Sequence, residues 1–67
     1  MRLPSDDNLL LSVINTKLRD CYSSLSKLCE EEDADEAEIC SRLEKLGYTY
    51  DEKLNKFIQP KLNVKKF

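Results

Sequence analysis

LCEEEDADEAEICSRLEKLGY, running from Leu28 to Tyr48, is the stretch that decides how this chain is read. Its apolar positions Leu28, Cys29, Ile39, Leu43 and Leu46 have the spacing of two short helices whose inner faces meet across a tight turn. Between those faces lies an acidic run, with seven carboxylates in the nine positions from Glu30 to Glu38. One segment thus carries both a packing signal and a charge signal.

Upstream, Ser5, Asp6 and Asp7 are all competent N-caps for a first helix, and the two acids also suit its N-terminus. Leu10, Leu11, Val13, Ile14, Leu18, Cys21 and Tyr22 fall within one half of a helical wheel, and Leu9 lies just outside it. Such a stripe is wide enough to cover two faces of the fold, or one face plus a partner. Lys17 interrupts it and is expected to snorkel outward. Ser23 or Ser24 caps a second helix through Leu25, Leu28 and Cys29, and Asp33 or Asp35 caps a third. Each of those acids precedes a Glu by three residues (Glu36 and Glu38), so two capping-box registers are available. The third helix places Ile39, Cys40, Leu43 and Leu46 at core spacing and ends at Gly47, the residue best suited to a left-handed C-cap.

Downstream, Tyr48 and Tyr50 alternate, the polar stretch Asp51 to Asn55 follows, and Phe57 comes next. This predicts a small hairpin with Asn55 at positive φ, because Tyr-Thr-Tyr prefers strand. The competing reading is a fourth helix capped by Asp51, with Leu54, Phe57 and Ile58 on one face. Pro60 closes the unit. The tail KLNVKKF is then either a loose basic extension or an edge strand with Leu62 and Val64 on one side.

A chain of 67 residues is one small domain, and at this size only about 60% of the unfolded surface is buried on folding. With 40% hydrophobic and 36% charged residues it reads as globular rather than disordered, and one Gly with two Pro favours regular elements over irregular loops. The longest apolar run is far short of a membrane span. Asp6 and Asp7 interrupt the place where a signal peptide's apolar region would begin. The expectation is a cytoplasmic protein. Net charge is +1 over residues 1–29, −7 over 30–38 and +4 over 39–67, so an acidic middle faces a lysine-rich end.

Catalysis finds little support. The chain has no His, no Gly-rich phosphate loop and no Ser-based nucleophile elbow. Cys21, Cys29 and Cys40 have spacings that match no common zinc pattern and are read as reduced packing thiols. The run EEEDADE lacks the Gly that a calcium loop requires. A non-enzyme with no cofactor and no metal is expected.

The spacing from Leu28 to Tyr48 resembles a DNA-binding helix-turn-helix pattern of the form LAxxLGVSxxTVxRxLxxLGY. Leu28, Cys29, Ile39, Leu43, Leu46, Gly47 and Tyr48 occupy like positions, Asp33 stands for the turn Gly, and Asp35 stands for the Ser cap. The hairpin would sit where a winged helix carries its wing. The departures concern DNA. Asp35, Glu36 and Glu38 occupy the end a reading helix would present to base edges and phosphates. They oppose the counterion release on which much of nucleic-acid affinity depends. Glu32, where the pattern has Leu, is expected to loosen the turn. A DNA mode would have to be led by Lys53 and Lys56 of the wing and Lys61, Lys65 and Lys66 of the tail, with Arg42 and Lys45 behind.

Two further stretches, NTKLRDCYSSL from Asn15 to Leu25 and GYTYDEKLNKF from Gly47 to Phe57, resemble a family of short bacterial proteins known only as a domain of unknown function. The resemblance runs over nearly all of residues 2–58 and implies no activity, substrate or catalytic residue. It draws attention to Asn15, Thr16, Lys17, Arg19 and Asp20. Lys17 and Arg19 suit a helix C-terminus and Asp20 can pair with a nearby cation; the alternative is a polar contact patch.

The expected architecture is mainly α with a small β-hairpin: a three-helix, helix-turn-helix-like (winged-helix-like) domain over residues 1–58, then a basic extension over 59–67. The expected role is a non-catalytic protein-interaction module. Its partner is a second copy, as a homodimer or other homo-oligomer through the first helix and the tail, or an unidentified protein. Membrane is excluded as a partner, and nucleic acid is the disfavoured alternative. The candidate contact residues are Lys17, Arg19, Asp20, Glu30, Glu31, Glu32, Lys53, Lys56, Lys65 and Lys66.

Overall fold

The computed structural model of the protein describes residues 2–60. Helix α1 spans Asp7–Asp20, α2 Leu25–Glu32 and α3 Glu36–Lys45; strands β1 (Thr49–Asp51) and β2 (Lys56–Ile58) form an antiparallel hairpin. The molecule is mainly helical, with the element order of a helix-turn-helix unit followed by a wing. The hairpin, and not a fourth helix, follows Gly47.

Each helix end has a side-chain or backbone cause. Asp6 caps α1, its carboxylate accepting the N–H groups of Asn8 at 2.8 Å and Leu9 at 3.3 Å. Ser24 Oγ accepts the Lys27 N–H at 3.1 Å and starts α2. Asp33 then turns into the left-handed region (φ 55°, ψ 50°), and the Ala34 N–H reaches back to the Cys29 carbonyl at 2.9 Å. Asp33 thus replaces the turn Gly, leaving Asp35 to cap α3 through the Ala37 and Glu38 N–H groups. Gly47, at φ 86°, closes α3 with the paired bonds Gly47 N–H to Glu44 C=O (2.9 Å) and Tyr48 N–H to Leu43 C=O (3.0 Å). In the hairpin, the Asp51 carboxylate accepts the Lys53 and Leu54 N–H groups, and Asn55 completes the four-residue loop at φ 55°.

The core comprises Leu10, Ile14 and Leu18 from α1, Leu25, Leu28 and Cys29 from α2, Ile39 and Leu43 from α3, and Phe57 from β2. Every one of these is apolar, and no polar or charged residue is buried among the described residues. Leu11, Cys40, Leu46, Tyr48 and Tyr50 pack around this centre, half-buried. Helix α1 touches α2, α3 and β2, so its wide stripe covers two faces of the fold. Leu9 remains 52% exposed, as its place on the wheel implies.

Two expectations fail here. Cys21 is exposed, because α1 ends at Asp20 and helical periodicity no longer governs the position after it. Lys17 does not extend into solvent: its ammonium meets Glu32 at 3.4 Å.

A side chain holds the hairpin to α1. Asn15 Nδ2 donates to the Phe57 carbonyl at 3.1 Å, and Asn15 Oδ1 accepts the Phe57 N–H at 2.7 Å. Phe57 sits opposite Tyr50 in the register, and its backbone groups face away from β1, so the Asn15 amide stands where a third strand would pair. Asn15→Ala would leave both groups unpaired beside the core, which costs about 1–3 kcal/mol. Urea denaturation checks this, with the exposed Thr16→Ala expected within about 0.5 kcal/mol of the parent.

Candidate interaction surface

Around the hairpin the polar side chains form a connected set. Asn55 Nδ2 donates to the carbonyls of Leu18 (3.1 Å) and Tyr22 (2.9 Å), taking up carbonyls at and just past the end of α1. Its Oδ1 accepts from the Tyr50 hydroxyl at 2.6 Å, and that hydroxyl accepts the Leu25 N–H, the first of α2, at 3.1 Å. The two stretches NTKLRDCYSSL and GYTYDEKLNKF therefore meet in space, through Asn15 with Phe57 and through Asn55 and Tyr50 with the α1–α2 corner.

A second set surrounds Glu32. The Tyr22 hydroxyl donates to Glu32 Oε2, and the Lys17 ammonium approaches the same oxygen. That hydrogen bond, aided by burial and the negative charge, pushes the Tyr22 phenol up to about 12. The same bond, with Lys17, holds the Glu32 carboxyl below its ordinary range. Far from loosening the turn, Glu32 ties the end of α2 to α1. Arg42 is likewise committed: its Nε donates to Asp7 at 2.7 Å, and its guanidinium also donates to the Pro4 carbonyl. That fastens the N-terminal segment to α3 and removes Arg42 from any set of free cations.

The other candidate residues lie outward. Arg19 and Asp20 form an exposed pair at 2.9 Å at the end of α1, whose hydrogen bond raises the Arg19 pKa and lowers that of Asp20. Glu30 and Glu31 are exposed on the last turn of α2, and Lys53 and Lys56 are exposed on the hairpin. Lys65 and Lys66 lie outside the described residues, as do Lys61, Leu62, Val64 and Phe67. Lys17 and Glu32 come together, as do Arg19 and Asp20; the acidic and basic outer groups stay separate.

Between α1 and the hairpin runs an open groove of about 630 Å³, lined by Ser12, Asn15, Thr16, Arg19, Asn55 and Lys56, with Leu18 and Leu54 supplying its apolar wall. Among the described residues no carboxylate lines it. Leu54, 58% exposed, is with Leu9 one of the two large apolar side chains left in solvent among the described residues. Cys29 and Cys40 are held as thiols, their pKa values raised mainly by burial. Among the described residues no group of three or more acidic or cysteine side chains is placed to hold a metal ion, and no helix is long and apolar enough to cross a membrane.

The arrangement is that of a small helical module with a clamped hairpin. The chain belongs to the family described as domain of unknown function DUF4250, whose model matches residues 4–57. No curated protein and no solved structure matches the chain.

Sequence reasoning drew attention to Asn15 but did not find its partner, and it read Asn55 only as a turn residue. In both cases the missing information was a contact across more than thirty positions. The Glu32 environment yields a pH signature. Folding makes this carboxyl more acidic, so its contribution is full above the ordinary carboxylate range and is lost as pH falls through the lowered value. Glu32→Gln, which keeps an acceptor for Tyr22, is expected to lose stability less steeply than the parent as pH falls through and below the ordinary carboxylate range. Thermal melts across that range read the difference.

Proposed function

We propose that the chain is a non-catalytic interaction module that associates with a second copy of itself, its acidic α2–α3 end meeting a lysine-rich surface of the other molecule. The observation that carries this reading is the fate of the acidic run. Folding uses the Asp35 carboxylate as a cap and turns Glu32 inward, while Glu30, Glu31 and Glu36 are exposed and make no ion pair among the described residues. Like charges gathered at one end of a small domain repel, and a cationic surface relieves that repulsion. The hairpin carries exposed cationic side chains at Lys53 and Lys56, and the sequence adds Lys61, Lys65 and Lys66, which lie outside the described residues. An all-apolar core and the absence of His support a binding role over a catalytic one.

The apolar stripe of α1 gives this reading less support than its width suggests, because Leu10, Ile14 and Leu18 are spent inside the fold. Charge is the stronger motive. The nucleic-acid alternative would rest on the same lysines, but Glu36 and Glu38 stand at the start of α3 and Arg42 is held by Asp7. Sedimentation equilibrium at low ionic strength is expected to show association that weakens with added salt. Neutralising Glu30, Glu31 and Glu36 to Gln should abolish it, and duplex DNA should not bind under the same conditions. A clean monomer at low salt would overturn the reading, and retained DNA binding would replace it.

A further inference from the structure

Resting on that reading, we infer that the groove between α1 and the hairpin is the seat for the acidic α2–α3 end of the second copy. The groove is chemically one-sided. Its Asn15 and Asn55 amides are already spent on Phe57, Leu18 and Tyr22, so they form fixed walls. What remains to meet a ligand is the donor-only ammonium of Lys56, the guanidinium N–H groups of Arg19 not used on Asp20, and the hydroxyls of Ser12 and Thr16, which donate or accept. Among the described residues no carboxylate lines the groove itself, and the one that competes from beside it is Asp20, paired with Arg19. Its two charged groups are cations, which favours a ligand rich in acceptors.

The acidic end is that ligand in composition. Glu30, Glu31 and Glu36 offer acceptors only, Glu38 beside them lies 3.9 Å from Arg42, and Ala37, exposed between Glu36 and Glu38, offers a small apolar contact. Leu54 stands at the groove wall beside Lys56 with more than half its surface in water, so apolar and cationic groups lie side by side in the groove as apolar and anionic groups do on the acidic end. Arg19 is already paired, but that pair is fully at the surface, where an ion pair is weak and exchangeable. The groove, at about 630 Å³, is within the size range of binding clefts.

Sedimentation velocity of the full chain at low salt tests the seat with two exposed substitutions, Lys56→Glu and Leu54→Asp, with circular dichroism as the check on folding. Each is expected to weaken association by about tenfold or more, the scale of a close interfacial charge pair. Mixing Lys56→Glu with an Glu31→Lys/Glu36→Lys variant should restore a mixed complex that neither variant forms alone. If the two groove variants associate like the parent while Gln at Glu30, Glu31 and Glu36 abolishes association, self-association stands and the seat is wrong. The seat is also wrong if only deletion of residues 59–67 abolishes it. A parent that stays monomeric removes both proposals.

Discussion

The hairpin cannot hold itself, and the rest of the molecule is arranged around that constraint. Two strands of three residues each make a ribbon that would be marginal in water on its own. Asn15 supplies the missing edge to β2, pairing both backbone groups of Phe57 from a helix 42 positions away. That bond keeps the Phe57 ring in the core, where it lies 5.5 Å from the Tyr50 ring. The exchange is mutual. Asn55 takes up two carbonyls at the end of α1, and Tyr50 takes up the first N–H of α2. Helices and hairpin thus satisfy one another's loose backbone groups, which is why so small a core can support five elements.

What could be read in advance followed from local chemistry. The buried positions of α2 and α3, the Asp35 cap, the Gly47 stop and the positive φ of Asn55 all depend on residues within one turn of each other. So does the hairpin, through the strand preference of Tyr-Thr-Tyr and the polar loop behind it. The failures share a different cause. Cys21 lay on the α1 wheel but past the end of its helix. A single-helix wheel points Lys17 to solvent and cannot show that Glu32 of α2 comes within 3.4 Å of it. The groove was harder still. Lys56 and Leu54 were visible as residues, but the groove they share with Ser12 and Thr16 exists only once the hairpin lies along α1.

Glu32 shows how one position changes meaning between pattern and structure. In a helix-turn-helix pattern its place is apolar, and a carboxylate there reads as a defect. In this fold it receives a hydroxyl from Tyr22 and an ammonium from Lys17, so a polar clamp replaces an apolar one at the helix junction. The same economy explains Asp33, whose left-handed backbone does the work of a turn Gly. Two of the seven acids in the run are therefore architectural by position, and Asp35 is a third.

The fate of the helix N-termini bears most directly on what the surface can meet. A helix start that offers free N–H groups is a ready anion site. Here Asp6 occupies the N–H groups of Asn8 and Leu9, Ser24 and Tyr50 occupy those of Lys27 and Leu25, and Asp35 occupies those of Ala37 and Glu38. All three starts are closed by the chain's own oxygens, two of them by carboxylates. At α3 the closure is compounded by Glu36 and Glu38, so the end that would approach a phosphate has few donors left to offer and charge to repel it. A spacing that resembles a DNA reader is thus filled with residues that complete the helices themselves. What they leave outward is a set of acceptors, for which a cationic surface is the complementary contact.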